Sequence, residues 1–260
     1  MYTITEDFIN GLPKIAYRHG VGKFEGVVNH STDSPNTTGG DTPLAEFQYE
    51  SRTFENAFVH FFVGVENGKP VIRNVAPIEY LAWGCGAVGN QRFVQIELDT
   101  YGDPTTFKMA YDAYVWLTAK VLFDANLPVV AASVDHTKGT LWSHDDITKF
   151  LGNTTHTDPI EYLQVHGISW TDHIRNVQEQ YRIFEQDSTK HTSPTPTTAP
   201  PSSTTTTLKD IEGLFQKDAI EWAVANKVML EHEGMFNPHF NVTRADLAYY
   251  LHNLYKLLKG

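Results

Sequence analysis

The segment RFVQIELDT, residues 92–100, decides the fold class that this sequence predicts. Val94, Ile96 and Leu98 are apolar, and the residues between them are polar. This period of two is typical of a β-strand that buries one face. Glu97 lies on the polar face, where a carboxylate is either turned to solvent or kept for a function, because burying it unpaired is costly.

Two helices are predicted from their start signals. Asp103-Pro104 opens the first, since aspartate caps free N–H groups and proline suits the first helical position, and an apolar stripe continues to about Phe123. The second covers SWTDHIRNVQEQYRIF, residues 169–184, where Ser169 and Asp172 form a capping box.

Further strands are predicted on the N-terminal side. GVVNH, residues 26–30, is a short β-rich run, and AFVHFFVGVENGKPVIRNV, residues 57–75, reads as two strands around an Asn-Gly turn. Strands and helices interleaved in this way predict an α/β fold with a mixed central β-sheet and helices on its faces.

A low-complexity segment predicts a division of the chain into domains. Residues 186–207, QDSTKHTSPTPTTAPPSSTTTT, consist largely of Thr, Ser and Pro and contain almost no side chain that can pack a core. We therefore expect a catalytic domain over 1–185, a stiff linker over 186–207, and a small helical module over 208–260. The two helical patterns of that module are KDAIEWAVANKVML and TRADLAYYLHNLYKLL.

The composition excludes several classes of partner. The 260 residues carry a formal net charge of −11, which argues against nucleic-acid binding, since that needs clustered Lys and Arg. No apolar stretch reaches the roughly 18 residues of a membrane span, so we expect no membrane association. The first twenty residues lack a basic stretch followed by an apolar run, so we expect synthesis in the host cytoplasm without a signal peptide.

Potential metal ligands gather in SHDDITKFLGNTTHTDP, residues 143–159. Zinc is bound readily by imidazole and carboxylate, and a catalytic site uses three protein ligands. His144, His156 and Asp158 are all candidates, and His30 is a fourth because it ends a predicted strand, where sites form. Any one of these side chains alone is more often solvated than ligating, so the prediction depends on the set.

These motifs carry a resemblance. VVNHST, QIELD and SHDDI with the later HTDP resemble the N-acetylmuramoyl-L-alanine amidase type 2 family, related to the peptidoglycan-recognition proteins, and within it phage endolysins and autolysins. The resemblance covers roughly residues 15–165. It implies that His30, His144 and Asp158 bind Zn²⁺ and that Glu97 is the family's strand glutamate.

The resemblance also implies a reaction, hydrolysis of the amide between the lactyl group of N-acetylmuramic acid and L-alanine in peptidoglycan. Glu97 is expected to orient the attacking water and accept its proton. His156 stands where the family often has lysine. It is expected either to stabilise the oxyanion of the reaction or, lying next to the metal, to be the third ligand in place of Asp158.

The C-terminal segment FNPHFNVTRADLAYYLHNL resembles a surface-layer-homology repeat. The resemblance implies binding to an anionic secondary cell-wall polysaccharide, with Arg244 at a helix N-terminus as the contact, where dipole and guanidinium both favour an anion. The alternative is that Arg244 faces solvent. A single repeat is visible, and Asp246 replaces the usual glutamate.

The sequence thus predicts a zinc-dependent wall amidase, most similar to a phage endolysin, that acts on the cell wall after release. A non-catalytic peptidoglycan-binding module is one alternative, although such modules typically lack a zinc ligand. A host autolysin or a muropeptide-recycling amidase is another. The linker and the wall-type repeat argue against recycling, since a soluble substrate needs no tether.

Overall fold

The computed structural model describes residues 2–32, 41–191, 222–229 and 250–256, with side chains described as far as residue 188 in the second range. Contacts within the chain divide it into two compact units, Met1–Pro194 and Thr195–Gly260. Across the described ranges, no helix is both long enough and apolar enough to cross a bilayer.

A six-stranded mixed sheet forms the centre of the first unit, in the order β1-β4-β3-β5-β2-β6. The strands are β1 (Ile4–Glu6), β2 (Gly26–Ser31), β3 (Phe61–Glu66), β4 (Lys69–Asn74), β5 (Phe93–Leu98) and β6 (Leu141–Ser143). Only the β3–β4 pair is antiparallel. The predicted α/β fold with a mixed sheet is confirmed.

The antiparallel pair is closed by the predicted Asn-Gly turn. Asn67 and Gly68 both have positive φ, 51° and 71°. Two consecutive left-handed residues make the turn whose twist matches that of the flanking strands, which is why this dipeptide is a strong hairpin signal. The turn places β3 between β4 and β5 in the sheet.

Helices pack on both faces of the sheet. They are α1 (Pro43–Thr53), α2 (Ala87–Asn90), α3 (Pro104–Asp124), α4 (His144–Phe150), α5 (Ile160–Val165) and α6 (Trp170–His191). α3 begins as predicted, because the Asp103 carboxylate accepts a hydrogen bond from the N–H of Thr106 at 2.8 Å. The capping box of Ser169 and Asp172 also forms at the start of α6.

The two faces of the sheet differ in chemistry. One is apolar and packs against α3 and α6; its strand side chains include Val27, Val94, Ile96 and Leu98. The other carries a smaller apolar cluster around Trp142 and then becomes polar toward the carboxyl ends of β2 and β5. A functional site is therefore expected on this second face.

The helix α6 is longer than the sequence predicted. It continues to His191, so residues 186–191 are helical although they were assigned to the linker. The rest of the predicted linker lies outside the described residues. In the C-terminal module, residues 250–256 are helical, as predicted. In the first predicted helix, residues 222–225 are helical but residues 226–229 form a turn and a bend, so the helix ends earlier than predicted. Arg244 lies outside the described residues.

Candidate metal centre

His30 is held in an inner strand of the sheet. It is the fifth residue of β2, which lies between β5 and β6, and it is 1% exposed. Because side chains alternate along a strand, Val27 and Asn29 face α3 while Val28 and His30 face the other side. His30 thus points to the polar end of the second face.

His144 reaches the same place from the neighbouring strand. Ser143 ends β6 and caps α4 in a reciprocal capping box with Asp146, so His144 is the first residue of the helix. It is 3% exposed. The SHDD sequence therefore makes a sharp strand-to-helix transition that turns the imidazole toward β2.

Asp158 is brought in by the loop between α4 and α5. Its Oδ2 accepts a hydrogen bond from the N–H of Ser31 at 3.3 Å, and its carbonyl oxygen accepts one from the N–H of Asp145 at 3.4 Å. The Thr148 hydroxyl binds the carbonyl oxygen of His156 at 2.6 Å, which fixes the loop to α4. These contacts hold the carboxylate over the end of β2.

The three side chains converge on one point. Nδ1 of His30 lies 3.0 Å from Nδ1 of His144 and 3.2 Å from Oδ2 of Asp158. Nδ1 of His144 lies 3.1 Å from Oδ1 of Asp158. Within the described ranges, these three residues form the one group whose ligand atoms are mutually close enough to hold a metal ion.

This geometry fits a zinc ion. Ligand atoms at about 2.0–2.1 Å from a tetrahedral zinc lie about 3.3 Å from one another, close to the separations between these atoms. Two imidazoles and one carboxylate are also a ligand set that catalytic zinc sites use, with a fourth position left open. His30, His144 and Asp158 are therefore suited to hold Zn²⁺.

The protonation states of His30 and Asp158 agree with metal binding. Burial lowers the pKa of His30 to about 4, although the hydrogen bond and charge of Asp158 act in the opposite direction. Burial alone raises the pKa of Asp158, but hydrogen bonds with His144 and His30 outweigh it and hold the pKa below its usual value. A neutral imidazole and an ionised carboxylate are the forms that bind a metal.

Glu97 stands beside this group. It is the register partner of His30 in the parallel β2–β5 pair, and its side chain faces the same side of the sheet. Oε2 is buried, with no hydrogen-bond partner among the described residues, so the solvent-facing alternative does not hold for this oxygen. Burial raises the pKa of Glu97 well above its usual value, and the charge of Asp158 raises it further.

His156 lies at the open edge of the group. Its ring stacks on that of His144, with centroids 4.8 Å apart, and its side chain is 61% exposed. Nδ1 lies 3.7 Å from Oδ1 of Asp158, farther than any contact within the converging group. The geometry favours Asp158 over His156 as the third ligand.

Several supporting residues were not predicted. The Thr154 hydroxyl lies 3.0 Å from Nε2 of His144, and Oδ2 of Asp41 binds the hydroxyls of Thr32 at 2.6 Å and Thr100 at 2.9 Å, which ties together the strand ends that carry the site. No sequence pattern marks these contacts, because threonine and aspartate are common in loops. Only their position beside a predicted ligand would have suggested them.

A cleft opens next to the converging group of His30, His144 and Asp158. Its volume is about 620 Å³, within the usual range for ligand sites, and Asp158 and His156 form part of its wall. Most other wall residues carry hydroxyl groups; they are Ser31, Thr32, Thr100, Thr155, Thr157 and Tyr162. Such a wall suits a polar, extended ligand.

Comparison with known families agrees with this geometry. A family model described as N-acetylmuramoyl-L-alanine amidase matches residues 21–161, more than half of the chain. The chain belongs to this amidase family. The matched region contains the three converging side chains and Glu97, as the sequence motifs predicted.

The chain has relatives in Listeria monocytogenes and in Staphylococcus species. Protein Ami of Listeria monocytogenes is 38% identical over 173 residues, which are 66% of this chain and 18% of that protein. The bifunctional autolysin of Staphylococcus epidermidis is 38% identical over 196 residues, 75% of this chain and 14% of that protein. The chain thus spans less than a fifth of the length of either relative.

A solved structure is also similar. The crystal structure of the Staphylococcus aureus hydrolase AmiA in complex with its ligand matches with a TM-score of 0.65 at 36% identity. The match covers 71% of this chain and 85% of that chain. It supports the α/β architecture and extends beyond the residues of the family model.

Proposed function

We propose that the amidase is a zinc-dependent peptidoglycan hydrolase. It cleaves the amide between the lactyl group of N-acetylmuramic acid and L-alanine of the stem peptide. The observation that carries the proposal is the convergence of His30, His144 and Asp158 within 3.2 Å of one another, beside Glu97, whose Oε2 is buried.

Glu97 is placed to move the proton. A zinc ion bound by the three ligands supplies Lewis acidity, which polarises an amide carbonyl and makes water easier to deprotonate. Glu97 accepts the proton of the attacking water as the new C–O bond forms, and donates it to the nitrogen as the C–N bond breaks. Its backbone position on β5 is fixed by the register with β2, on the same face of the sheet as His30.

His156 is placed to stabilise the developing charge. Its exposed ring lies beside the converging group and, like Asp158, forms part of the wall of the hydroxyl-lined cleft. An N–H of this ring can donate a hydrogen bond to the oxyanion that forms when water adds to the carbonyl. Stacking on His144 limits the orientations of the ring, which supports a role in the reaction rather than in metal binding.

The identity of the cleaved bond is tested by product analysis. Peptidoglycan digested with the purified protein should yield glycan strands with free lactyl groups and peptides with free L-alanine amino termini, both identified by mass spectrometry. The Glu97→Gln variant is the matched negative control. Cleavage within the glycan or within the stem peptide would contradict the proposal.

A non-catalytic binding module is the alternative of a different class. It needs the cleft but not a complete set of metal ligands. The retention of three convergent ligands favours the enzyme, and so does Glu97, because its buried Oε2 has no partner among the described residues and such an oxygen costs stability unless it serves a function. Binding of peptidoglycan without release of free amino termini would support the module instead.

The biological setting is also part of the proposal. The same bond is cleaved by a phage endolysin and by an autolysin of the host, and we propose wall lysis after release from the cytoplasm. The relatives described above include an autolysin, and the motifs resemble both classes. Expression inside a Gram-positive host, with and without a membrane-permeabilising protein, tests whether release is what starts lysis.

The C-terminal module is proposed to bind an anionic secondary cell-wall polysaccharide through Arg244. The support is the sequence motif around Arg244 and the helical conformation of residues 222–225 and 250–256. A binding module tethered to the enzyme raises the local concentration of substrate without changing the chemistry. Its contribution is therefore expected in wall binding and not in turnover.

A further inference from the structure

A buried polar network lies directly behind His30. Oδ1 of Asn29 is 2.9 Å from Nε2 of His173 in α6, and Nδ2 of Asn29 donates to the hydroxyl of Thr118 in α3 at 3.0 Å. Asn29, Thr118 and His173 are all 0% exposed. The residue that precedes a metal ligand is thus held by both helices of the apolar face.

The network continues along α6. Nδ1 of His173 lies 3.1 Å from the hydroxyl of Tyr111, which in turn accepts a hydrogen bond from Nδ2 of Asn176 at 3.0 Å. Burial lowers the pKa of His173 to about 3, so its ring is neutral. With Asn29 as acceptor, the proton lies on Nε2, and Tyr111 donates to Nδ1, so both ring nitrogens are satisfied.

The two histidines of the converging group, His30 and His144, differ in the contacts that fix their imidazole rings. A ligating histidine usually has its second ring nitrogen bound to a protein group, which fixes the ring. Nε2 of His144 has Thr154 as such a partner. Nε2 of His30 is buried and has no partner among the described residues. The orientation of His30 must therefore come from its main chain and its packing.

The main chain of His30 is fixed from the side of the helices. The hydroxyl of Tyr114 in α3 donates to the carbonyl oxygen of His30 at 2.7 Å. Tyr114 also packs against His173, with ring centroids 5.4 Å apart. The position of the backbone around His30 is thus coupled to His173 through Asn29 and through Tyr114.

We propose that His173 is a positioning residue of the metal centre, which sets the orientation of His30 through Asn29. This inference rests on the proposed metal-binding function. His173 lies in α6, outside the residues 21–161 that the family model matches. The catalytic unit of this chain then includes α6, and does not end at α5.

Cobalt binding by the full chain tests the proposal, because Co²⁺ replaces zinc and its visible absorption reports ligand geometry without any substrate. His173→Leu places an apolar side chain at this buried position and removes the hydrogen bonds to Asn29 and Tyr111. We expect Co²⁺ affinity to fall by roughly 10-fold, the lower end of the range for losing a direct partner of a ligand, because His173 acts on His30 through Asn29. The absorption bands should also shift. His173→Gln can donate to Asn29 and accept from Tyr111. It should therefore restore most of the Co²⁺ affinity and of the wild-type absorption spectrum.

A matched control separates positioning from stability. Val177 is 0% exposed on the same helix and packs in the apolar core without polar contacts to the network. Val177→Ala should lower the unfolding temperature while leaving Co²⁺ affinity and spectrum unchanged, with all measurements made well below unfolding. If His173→Leu does not fold, Tyr111→Phe takes its place, since it removes only the hydroxyl that binds His173.

The outcomes are distinct. Loss of affinity and a shifted spectrum in His173→Leu, with rescue by His173→Gln, supports the proposal. An unchanged spectrum and affinity in His173→Leu, or an equal loss in Val177→Ala, overturns it while leaving the proposed function intact. A wild-type protein that binds neither Co²⁺ nor Zn²⁺ overturns both.

Discussion

His30 and Glu97 are direct partners in the register of two parallel strands, β2 and β5. The pairing fixes a potential metal ligand and a potential proton acceptor at the same level of the sheet and on the same face. A one-residue slip in register would turn one of them to the apolar face, where α3 packs. The relative position of the two groups is therefore a property of the sheet and not of a loop.

Replacing Glu97 tests its part in proton transfer. Glu97→Gln keeps the shape of the side chain and adds no charge, so zinc content and substrate binding should be retained. The turnover number should fall by about 10² or more, the usual scale for loss of a general base. Metal analysis together with release of free L-alanine amino termini measures both effects. Unchanged turnover would show that the glutamate is structural.

Replacing the converging side chains tests the metal centre. His30→Ala, His144→Ala and Asp158→Ala should each weaken zinc binding by more than the 10- to 100-fold typical of outer contacts, because an open site has only three protein ligands. EDTA should inactivate the wild type and zinc should restore it. Calorimetric zinc titrations give the affinities.

His156→Ala is the matched control for these variants. Its ring stacks on the site but stays outside the converging group, so zinc affinity should remain while turnover falls. If Asp158→Ala binds zinc normally and His156→Ala does not, His156 is the third ligand.

Glu46 in α1 gives a prediction for stability and pH. Burial raises its pKa from 4.5 to about 7, with the charge of Asp41 and a hydrogen bond to Asp41 adding to the shift. The folded protein therefore binds this proton more tightly than the unfolded chain. The resulting stabilisation is fully present below about pH 4.5 and is lost as the pH rises through 7.

Glu46→Gln should remove this dependence, since glutamine can still donate to Asp41 but carries no charge. The substitution should change the unfolding temperature more favourably at pH 8 than at pH 5. Circular dichroism at constant zinc content measures the unfolding temperatures of variant and wild type at both pH values. Exposed Glu55→Gln serves as the control and should leave the difference between the two pH values unchanged. If Glu46→Gln and Glu55→Gln alter the change in unfolding temperature between pH 5 and pH 8 by the same amount, the assignment to Glu46 is contradicted.

Removing the C-terminal unit tests the proposed division of labour. A fragment of residues 1–194 contains every element of the sheet and every proposed catalytic residue, so it should fold, bind zinc and hydrolyse peptidoglycan stripped of secondary polymers like the whole chain. It should bind intact walls far more weakly. Arg244→Ala in the whole chain should reproduce that loss, whereas Lys256→Ala should not. Equal sedimentation of all four proteins with intact walls would remove the binding role.

Local signals in the sequence predicted most of the central elements. The period of two in β5, the Asn-Gly turn between β3 and β4, and the Asp103 cap of α3 all depend on neighbouring residues, and all are present in the structure. β1 and β6 are only three residues long, which is too short for a periodic signal. The order of strands could not be predicted either, because it depends on contacts between distant segments.

The same distinction applies to the site. The motifs indicated His30, Glu97, His144 and Asp158, and the structure brings these side chains to one place. The contact between Asn29 and His173 spans 144 residues and leaves no local pattern, so only the fold reveals it. The extension of α6 into the Thr- and Ser-rich segment was missed because composition there favours a linker, while the helix is stabilised by packing that begins upstream.

The spacing of the metal ligands along the chain has a consequence for folding. His30 meets His144 across 114 residues and Asp158 across 128. Contacts so distant in sequence close late, because a long loop must be ordered before they form. During synthesis, a chain that has emerged only as far as β5 holds one histidine of the set and no site. If this group binds zinc as proposed, binding requires β2, α4 and the loop before α5 to have come together. Metal uptake by nascent or refolding chains should then report the assembly of these elements rather than collapse.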